Sequence, residues 1–316
     1  MIPFSPPRID QKVIDEVVDT LKSGWITTGP KTKEFERRLT AYCGNKATLA
    51  VNSNTVGLEV VLRWFGVQEG DEVIVPAYTY CATANVIVHC GAKPVMVDVN
   101  ADDFDVCLEN VRRAITDKTK VIMPVDLGGM PCAYDELFEL VETEEVKTLF
   151  QAKTEEQRKL GRILILSDSA HSIGAEYKGR KAGCLADVSV FSFHAVKNLT
   201  TAEGGAIMLN LPEPFDNEEV YRYLCTYTLH GQNKDALAKT KKGAWRYDVL
   251  VSGFKGNMTD IMASIGLVEL SRYEDDTLHY RKCIYDQYTD AFSRYGWAEL
   301  PIYETEDRKS SYHVYC

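Results

Sequence analysis

The apolar residues between positions 10 and 23 recur at the spacing of a helix. They are Val13, Ile14, Val17, Val18 and Leu21. This spacing places them on one face of a helix. Asp10 is a suitable N-cap and Gly24 a suitable stop, so the pattern predicts a helix that packs against the rest of the fold.

Further along the chain, about seven short apolar runs have the length and composition of buried strands. They cover residues 47–52, 72–76, 94–99, 120–126, 163–168, 188–191 and 206–209. Stretches with helical periodicity, such as 108–115, separate several of these runs. Strands that alternate with helices imply parallel pairing and right-handed crossovers. The pattern therefore predicts an α/β fold built on a large, mostly parallel sheet of about seven strands.

Two other stretches have helical patterns. Residues 134–162 are polar and highly charged, which is typical of a solvated helical face. Residues 265–294 predict a further helix near the C-terminus. With 316 residues, of which 45% are hydrophobic, the chain can bury a large core and is long enough for one large domain and a smaller one.

The charge balance narrows the choice of partners. The formal net charge is −10 and the isoelectric point is about 5.2. Because no block of lysines and arginines offsets this acidity, the composition argues against nucleic acid or an anionic membrane as a main partner. A local basic pocket for a phosphate is compatible with this average.

The cysteines and the N-terminus bear on the cellular compartment. The nine cysteines are scattered, with no CxxC pair and no Cys/His spacing of a zinc site. The N-terminus lacks a basic region followed by an apolar core, and no apolar run approaches the roughly 18 to 20 residues that span a bilayer. We therefore expect reduced thiols, no metal, and a soluble cytoplasmic protein.

Residues 189–205 contain a lysine, Lys197, that follows an apolar run and lies among small and hydroxylated residues. An ordinary lysine amine has a pKa of about 10.4, so a catalytic lysine must be desolvated or lie near other cations. Apolar neighbours such as Phe193 and hydroxyls such as Ser192 suit a Schiff-base lysine that faces a phosphorylated cofactor. A surface lysine in a loop is the alternative from this segment alone.

A second segment favours the catalytic interpretation. Residues 163–175 predict a buried strand that delivers Ser167 and Asp168 to its carboxyl end, where ligands bind in open α/β sheets. A carboxylate there needs a cationic partner. The ring nitrogen of pyridoxal 5'-phosphate (PLP) is such a partner, and an aspartate commonly faces it beside a Schiff-base lysine. Lys197 and Asp168 together therefore predict a PLP site.

Three motifs in this region resemble a known family. They are DSAH at 168–171, SFHAVKNLTT at 192–201 and EGG at 203–205. In these motifs the chain resembles the PLP-dependent sugar aminotransferases of the DegT/DnrJ/EryC1/StrS family. The resemblance extends beyond the motifs, from Ile2 nearly to Cys316. The resemblance implies fold type I, the aspartate aminotransferase fold, in which a large sheet domain is followed by a small C-terminal domain.

A polar turn of Ser53, Asn54 and Thr55 separates a predicted strand from a predicted helix. Free N–H groups and the dipole at a helix N-terminus favour a phosphate, to which hydroxyls add hydrogen bonds. A simple N-cap is the alternative. The family usually has glycine where this chain has Asn54. The resemblance implies that this turn and Ser192 hold the cofactor phosphate.

The resemblance also implies roles for three more residues. Tyr80 corresponds to an aromatic residue that stacks on the cofactor ring, with a core tyrosine as the alternative. His171 would lie near the ring hydroxyl or the substrate, with a packed, hydrogen-bonded histidine as the alternative. Lys255 would cross a dimer interface to the cofactor phosphate of the partner, with a solvent-exposed lysine as the alternative.

As a whole, the resemblance implies a homodimeric aminotransferase with Lys197, Asp168 and His171 as catalytic residues. It would move an amino group from an amino acid, L-glutamate in the family, to a nucleotide-linked keto sugar. The product would serve amino-sugar, cell-surface polysaccharide or antibiotic-sugar biosynthesis. One dehydratase relative has histidine in place of the Schiff-base lysine, so Lys197 favours the aminotransferases.

The expected domains are residues 1–261 for the large PLP-binding domain and 262–316 for the start of the small one. Family members usually continue well beyond a motif like that of residues 311–313, whereas this sequence stops at Cys316. The small domain is therefore expected to be incomplete. A non-catalytic or regulatory protein with the same fold is the alternative function.

Overall fold

The computed structural model describes residues 5–233 and 246–316. Residues 1–4 and 234–245, which the predicted large domain includes, lie outside the described part. The helices there are α1 Gln11–Ser23, α2 Pro30–Cys43, α3 Asn54–Trp64, α4 Cys81–His89, α5 Leu108–Ala114, α6 Tyr134–Glu142, α7 Glu144–Leu149, α8 Glu155–Leu160, α9 Asn217–Tyr227, α10 Asp260–Ser271 and α11 His279–Phe292. None of these described helices is long and apolar enough to cross a membrane.

The strands confirm the positions of the predicted series, with ends that differ by a few residues. They are β1 Ala47–Val51, β2 Glu72–Pro76, β3 Lys93–Val97, β4 Thr119–Ile122, β5 Leu164–Asp168, β6 Glu176–Tyr177, β7 Arg180–Lys181, β8 Val188–Ser192, β9 Gly205–Leu209 and β10 Arg308–Lys309. The predicted burial is wrong for β3, which lies at the edge of the sheet and has only Val97 buried. The caps of α1 are also as predicted. The Asp10 side chain accepts a hydrogen bond from the backbone N–H of Val13, and Gly24 follows in the left-handed conformation with φ 74°.

Seven of the strands form one sheet in the order β1-β9-β8-β5-β4-β2-β3. Strand β2 pairs in parallel with β3 and β4, β4 with β5, and β5 with β8. Strand β9 runs antiparallel to both β1 and β8. The carboxyl ends of β1 to β5 and β8 therefore lie at one edge of the sheet, together with the amino end of β9.

The direction of β9 departs from the parallel pairing that alternating strands and helices predict. The described residues 193–204, which connect β8 to β9, contain no helix. Parallel strands need a crossover of about a dozen or more residues, usually a helix, whereas a direct connection returns antiparallel. The loop that carries Lys197 therefore begins and ends at the edge where the other strands have their carboxyl ends.

Each face of the sheet covers a hydrophobic core. Successive residues of a strand point to opposite faces: Ile165 packs into one core, and Leu164 and Leu166 pack into the other. Helices α2, α5 and α6 contribute to the first core, and α3, α4 and α9 contribute to the second. The sheet is thus the middle layer of an α/β fold, as predicted.

The two predicted helical stretches are both interrupted. Residues 134–162 form three short helices, because Thr143 and Thr154 each cap a new helix by accepting the N–H of Val146 and Gln157. The predicted helix 265–294 is divided into α10 and α11 by a π-helical segment, Tyr273–Leu278. Apolar spacing alone did not reveal these interruptions.

A second, smaller sheet was not predicted. It has the order β10-β6-β7, and β10 pairs antiparallel with β6. Each of its strands has two residues, which is too short for a recognisable alternation of apolar and polar positions. This pairing attaches the C-terminal segment to the region that follows β5.

A buried ion pair anchors the start of β5. Arg162 and Asp187 are 5% and 2% exposed, and two hydrogen bonds of 2.7 and 2.9 Å join the guanidinium to the carboxylate. The same carboxylate accepts the N–H of Ile165 at 3.0 Å. Arg162 also bonds the half-exposed Glu142 at 2.7 Å. Because Asp187→Ala removes the buried partner of Arg162 and the acceptor of the Ile165 N–H, it is expected to lower the free energy of unfolding by about 3 kcal/mol. Urea unfolding followed by circular dichroism measures this loss.

The exposed ion pair of Glu109 and Arg113 on α5 is the matched control. Both of its side chains remain in contact with water, so Glu109→Ala is expected to cost less than about 1 kcal/mol. Equal losses for the two variants would contradict a special contribution from the buried pair.

Candidate active site

A cavity of about 590 Å³ lies at the edge of the sheet where the carboxyl ends of the strands meet. This volume is typical of sites for small molecules and cofactors. The predicted site residues that line it are Ser53, Asn54, Thr55, Tyr80, Asp168, His171, Ser192 and Lys197. The structure therefore brings together every predicted site residue except Lys255.

Asp168 ends β5 and is only 4% exposed. Thr83 Oγ1 donates a hydrogen bond of 2.8 Å to Oδ2, and Asn54 Nδ2 donates one of 3.1 Å to Oδ1. The backbone N–H of Ala170 also donates to Oδ1, at 3.3 Å. Burial raises the pKa of Asp168, while these hydrogen bonds and the charge of Lys197 oppose that rise. A carboxylate in this setting favours a cationic partner.

Lys197 lies on the loop between β8 and β9 and is partly buried. Its backbone N–H donates to the carbonyl of His194 at 2.9 Å, which closes a turn. Burial lowers the pKa of the Lys197 amine, and the Asp168 carboxylate acts in the opposite direction. A lowered pKa increases the neutral, nucleophilic fraction of the amine. Lys197 and Asp168 thus line one cavity and interact electrostatically.

Helix α3 begins at this cavity. Ser53 is its N-cap, and its Oγ accepts the N–H of Val56 at 3.2 Å. Asn54 and Thr55 open the first turn, so their N–H groups have no acceptor within the helix. With Ser192 at the end of β8, this turn presents N–H and hydroxyl groups to the cavity. The cluster suits an anion such as a phosphate, and the phosphate-binding roles of these residues stay predictions.

Tyr80 and Ser167 differ in how they relate to the cavity. Tyr80 is 75% exposed, so it lies at the mouth of the cavity and is not a core residue. Its stacking on a cofactor ring stays a prediction. Ser167 was expected to face the site, but its hydroxyl is buried 2.5 Å from Tyr134 Oη and 2.7 Å from Ser169 Oγ. Because side chains alternate along a strand, Ser167 and Asp168 point to opposite sides.

His171 lies in the cavity against His313, with their ring centroids 4.4 Å apart. His313 Nδ1 is 2.7 Å from the side-chain oxygen of Asn198, the residue after Lys197. His171 Nδ1 is buried and has no hydrogen-bond partner among the described residues. Burial lowers the pKa of His171 to about 3 and the pKa of His313 to about 2. Both rings are therefore neutral near pH 7.

Lys255 lies outside the cavity of its own chain. Its side chain is exposed, and its backbone carbonyl accepts a hydrogen bond from Asn52 Nδ2 at 3.4 Å. The loop that carries Lys255 thus runs beside the end of β1. This end of β1 is close in sequence to Ser53. A contact between Lys255 and the site of a partner subunit stays a prediction.

Sequence reasoning missed Thr83 and His313, which do not line the cavity but contact the site residues Asp168 and His171. Thr83 lies three residues after Tyr80 on the first turn of α4, so helical spacing from a predicted site residue could have found it. His313 is far from His171 in the sequence. Only the packing of the C-terminal segment, where Ser311 also bonds the His171 carbonyl, brings the two rings together.

The donor set of the cavity fits the functional groups of PLP. A buried carboxylate matches a protonated ring nitrogen, a partly buried amine matches an aldehyde, and a helix N-terminus with hydroxyls matches a phosphate. These groups come from different strand ends and meet in one cavity. The three groups together indicate PLP more specifically than any one of them does.

The neutral state of His171 predicts a pH dependence of stability in the cofactor-free protein. Its pKa is about 3 when folded, against about 6.5 for an unperturbed histidine, so the unfolded state binds more protons below pH 6.5. Stability therefore falls as the pH falls from 6.5 towards 3. His171→Phe is expected to shrink the drop in unfolding free energy between pH 7 and pH 5 by about 1–2 kcal/mol.

Urea unfolding of the cofactor-free protein at the two pH values measures this difference. A His171→Phe variant with an unchanged pH dependence would contradict a buried, neutral His171.

Comparison with known proteins identifies the family. The sequence profile of the DegT/DnrJ/EryC1/StrS aminotransferase family matches residues 7–316. The uncharacterized protein MJ1066 of Methanocaldococcus jannaschii is 40% identical over 274 residues, which cover 86% of this chain and 65% of that protein. The spore coat polysaccharide biosynthesis protein SpsC of Bacillus subtilis is 34% identical over 315 residues, covering 99% of this chain and 75% of SpsC. The chain thus spans less than two thirds of the first relative and three quarters of the second.

Solved structures agree with this match. Spr1654 of Streptococcus pneumoniae, assigned as a sugar aminotransferase, superposes in its PMP form with a TM-score of 0.94 and 51% identity, over 100% of this chain and 78% of that one. Its PLP form superposes with a TM-score of 0.92 and 49% identity, over 99% of this chain and 77% of the Spr1654 chain. The fold is therefore fold type I, and PLP is the cofactor of the family. The chain belongs to the DegT/DnrJ/EryC1/StrS family of PLP-dependent sugar aminotransferases.

Proposed function

We propose that this protein moves the amino group of L-glutamate to a keto sugar linked to a nucleotide. The observation that carries the proposal is the presence of the Lys197 amine and the buried Asp168 carboxylate in one cavity at the carboxyl edge of the sheet. The similarity to SpsC, a spore coat polysaccharide biosynthesis protein, supports a role for the amino-sugar product in polysaccharide biosynthesis.

Lys197 has two tasks in this proposal. When bound, PLP supplies an aldehyde that bonds to amines and a ring that withdraws electrons from the attached carbon. Lys197 would hold the cofactor at its aldehyde. Its amine, once free, would act as the base that moves a proton from the α-carbon of the amino donor. The lowered pKa of Lys197 favours the neutral amine that this transfer needs.

Asp168 keeps the ring nitrogen protonated and so maintains the electron-withdrawing power of the ring. The carboxylate is held in place before the reaction, so little reorganisation is needed when charge develops. Thr83 fixes Oδ2 of this carboxylate at 2.8 Å. His171, which is neutral at pH 7, contributes a hydrogen-bonding ring near the ring hydroxyl or the substrate.

The phosphate end of the cofactor is held by the first turn of α3 and by Ser192. The backbone N–H groups of Asn54 and Thr55 supply donors at the positive end of the helix dipole, and the hydroxyls of Ser53 and Thr55 add to them. Tyr80, which is exposed at the cavity mouth, would stack on the cofactor ring.

The functional unit is a homodimer with its sites at the subunit interface. The exposed Lys255 reaches the cofactor phosphate of the partner as a point charge. Within one chain, residues 1–261 form the cofactor-binding domain and residues 262–316 belong to the small domain. The enzyme works in the cytoplasm, where its nine cysteines remain thiols.

A panel of nucleotide-linked 3-keto and 4-keto sugars, each supplied with PLP and glutamate, tests the function. The expected result is 2-oxoglutarate and an amino sugar in equal amounts with one class of keto sugar. A keto sugar without the nucleotide is the matched control and is expected to react much more slowly. Cofactor binding without turnover on any member of the panel would overturn the proposal in favour of a non-catalytic protein with the same fold.

A further inference from the structure

The side chain of Asn54 is turned away from the helix N-terminus that carries it. Asn54 is the first residue of α3 and is 8% exposed. Its amide nitrogen donates to Asp168 Oδ1 at 3.1 Å and to the carbonyl of Val190 on β8 at 2.8 Å. Both neighbours accept hydrogen bonds only, so the NH₂ group and not the oxygen of the amide must face them. Both N–H bonds of Asn54 are thereby used.

Close packing of α3 on the sheet makes this reach possible. A Cβ on Gly205 would lie 2.6 Å from the backbone nitrogen of Asn54 and 2.7 Å from the carbonyl oxygen of Phe191. A Cβ on Gly57 would lie 2.6 Å from a methyl group of Val190. Because glycine occupies both positions, the start of α3 lies against β8 and β9. The short asparagine side chain can then extend to the end of β5.

The hydrogen bonds to Asp168 are unevenly shared between its two oxygens. Oδ1 accepts from Asn54 and from the N–H of Ala170, whereas Oδ2 accepts from Thr83 alone among the described residues. A carboxylate has about four acceptor positions, two on each oxygen. The contacts of Asn54 therefore occupy Oδ1 and leave the open position on Oδ2.

We infer that Asn54 is a positioning residue for Asp168, holding this carboxylate ionised and oriented for the ring nitrogen of the cofactor. The inference rests on the proposed role of Asp168. An N–H donor stabilises a carboxylate more than a carboxylic acid, and more strongly in a buried site than in water. Asn54 thus opposes the effect of burial on Asp168. Its backbone N–H remains available to the phosphate, so one residue serves both ends of the cofactor.

The test compares two cofactors on the reconstituted protein. One is PLP, and the other is its analogue with carbon in place of the ring nitrogen, which cannot use a carboxylate partner. The ratio of their dissociation constants, measured by absorbance titration, reports the strength of the Asp168 contact without any turnover. The unsubstituted protein is expected to prefer PLP, and Asn54→Ala is expected to reduce this preference about tenfold, the loss of one charge-assisted hydrogen bond.

The pH dependence gives a second readout that a purely structural role would not change. Without the Asn54 donor, Asp168 takes up a proton more readily. As the pH is lowered and Asp168 becomes protonated, the preference for PLP is lost. This loss is expected at a higher pH in Asn54→Ala than in the unsubstituted protein. Asn54→Ser, which replaces the amide by a shorter polar side chain with a hydroxyl, is the second variant and is expected to shift both readouts in the same direction.

Asn217 is the matched control. It is the first residue of α9, is also 8% exposed, and bonds the backbone N–H and carbonyl of Leu211 at 2.9 and 3.0 Å. Leu211 follows the carboxyl end of β9, which lies at the edge of the sheet opposite the cavity. Both Asn217→Ala and Asn54→Ala are expected to lower the thermal stability. Asn217→Ala is expected to change neither the preference for PLP nor its pH dependence.

Two results would overturn the inference, and they differ in what else they affect. An unchanged preference and pH dependence in the Asn54 variants would leave Asp168 in its role and remove Asn54 from it. No preference for PLP in the unsubstituted protein would remove the ring-nitrogen contact itself, and with it the proposed role of Asp168.

Discussion

Replacing Lys197 with methionine is expected to abolish covalent attachment of the cofactor and to lower kcat by at least about 10³-fold. Methionine keeps much of the apolar volume of the side chain but has no amine. The variant can therefore neither bond the cofactor aldehyde nor move the proton. Intact-mass spectrometry after borohydride reduction measures the attachment, and 2-oxoglutarate release from glutamate measures the turnover.

Lys120 provides a matched control for this substitution. It is a fully buried lysine on β4 whose pKa is also lowered by burial, and its amine donates to the carbonyl of Asp117 at 2.9 Å. It lies at the amino end of its strand, at the edge of the sheet away from the cavity. Lys120→Met is expected to retain cofactor attachment and turnover. This result would show that a lowered pKa does not by itself make a lysine part of the reaction. Turnover retained by Lys197→Met would exclude Lys197 from the reaction.

Replacing Asp168 with asparagine is expected to lower kcat by about 10²–10³-fold, the range for losing one preorganised electrostatic contact. Asparagine has nearly the same shape as aspartate, and its oxygen can still accept the hydrogen bonds of Asn54 and Ala170. It carries no negative charge, so the ring nitrogen loses its ionic partner. Steady-state kinetics with glutamate measures the loss, and thermal unfolding of the cofactor-free protein shows that the fold is kept.

Asp126 is a suitable control for Asp168. It is fully buried, burial raises its pKa, and it accepts hydrogen bonds from Tyr134 Oη at 2.7 Å and Ser172 Oγ at 2.6 Å. It is not among the residues that line the cavity. Asp126→Asn is expected to alter stability without a comparable loss of kcat. Equal losses of kcat in both variants would mean that the Asp168 result reflects general disruption of this buried network.

Several elements of the fold could be predicted because their signals are local. The helix between Asp10 and Gly24 has its apolar spacing and both caps within the same short stretch of sequence. The buried strands are short and apolar on both faces, so each is recognisable without its neighbours. The antiparallel direction of β9 was missed because pairing direction depends on the path of the connecting loop, which apolar spacing does not encode.

The candidate site divides in the same way. Lys197, Asp168 and the turn at residues 53–55 were recognised from their local motifs and from the chemistry that those residue types share. The direction of the Asn54 side chain and the packing of His313 on His171 were not, because both depend on contacts between segments far apart in the sequence.

By itself, the sequence located the seven strands of the large sheet and the capped helix α1, and it placed Asp168 at a strand end, because periodicity, capping and motif chemistry act over a few residues. Tertiary structure alone decided the order and direction of the strands, and which oxygen of Asp168 is already occupied. Those features follow from packing between distant segments, where the space left by Gly57 and Gly205 lets one side chain reach another strand.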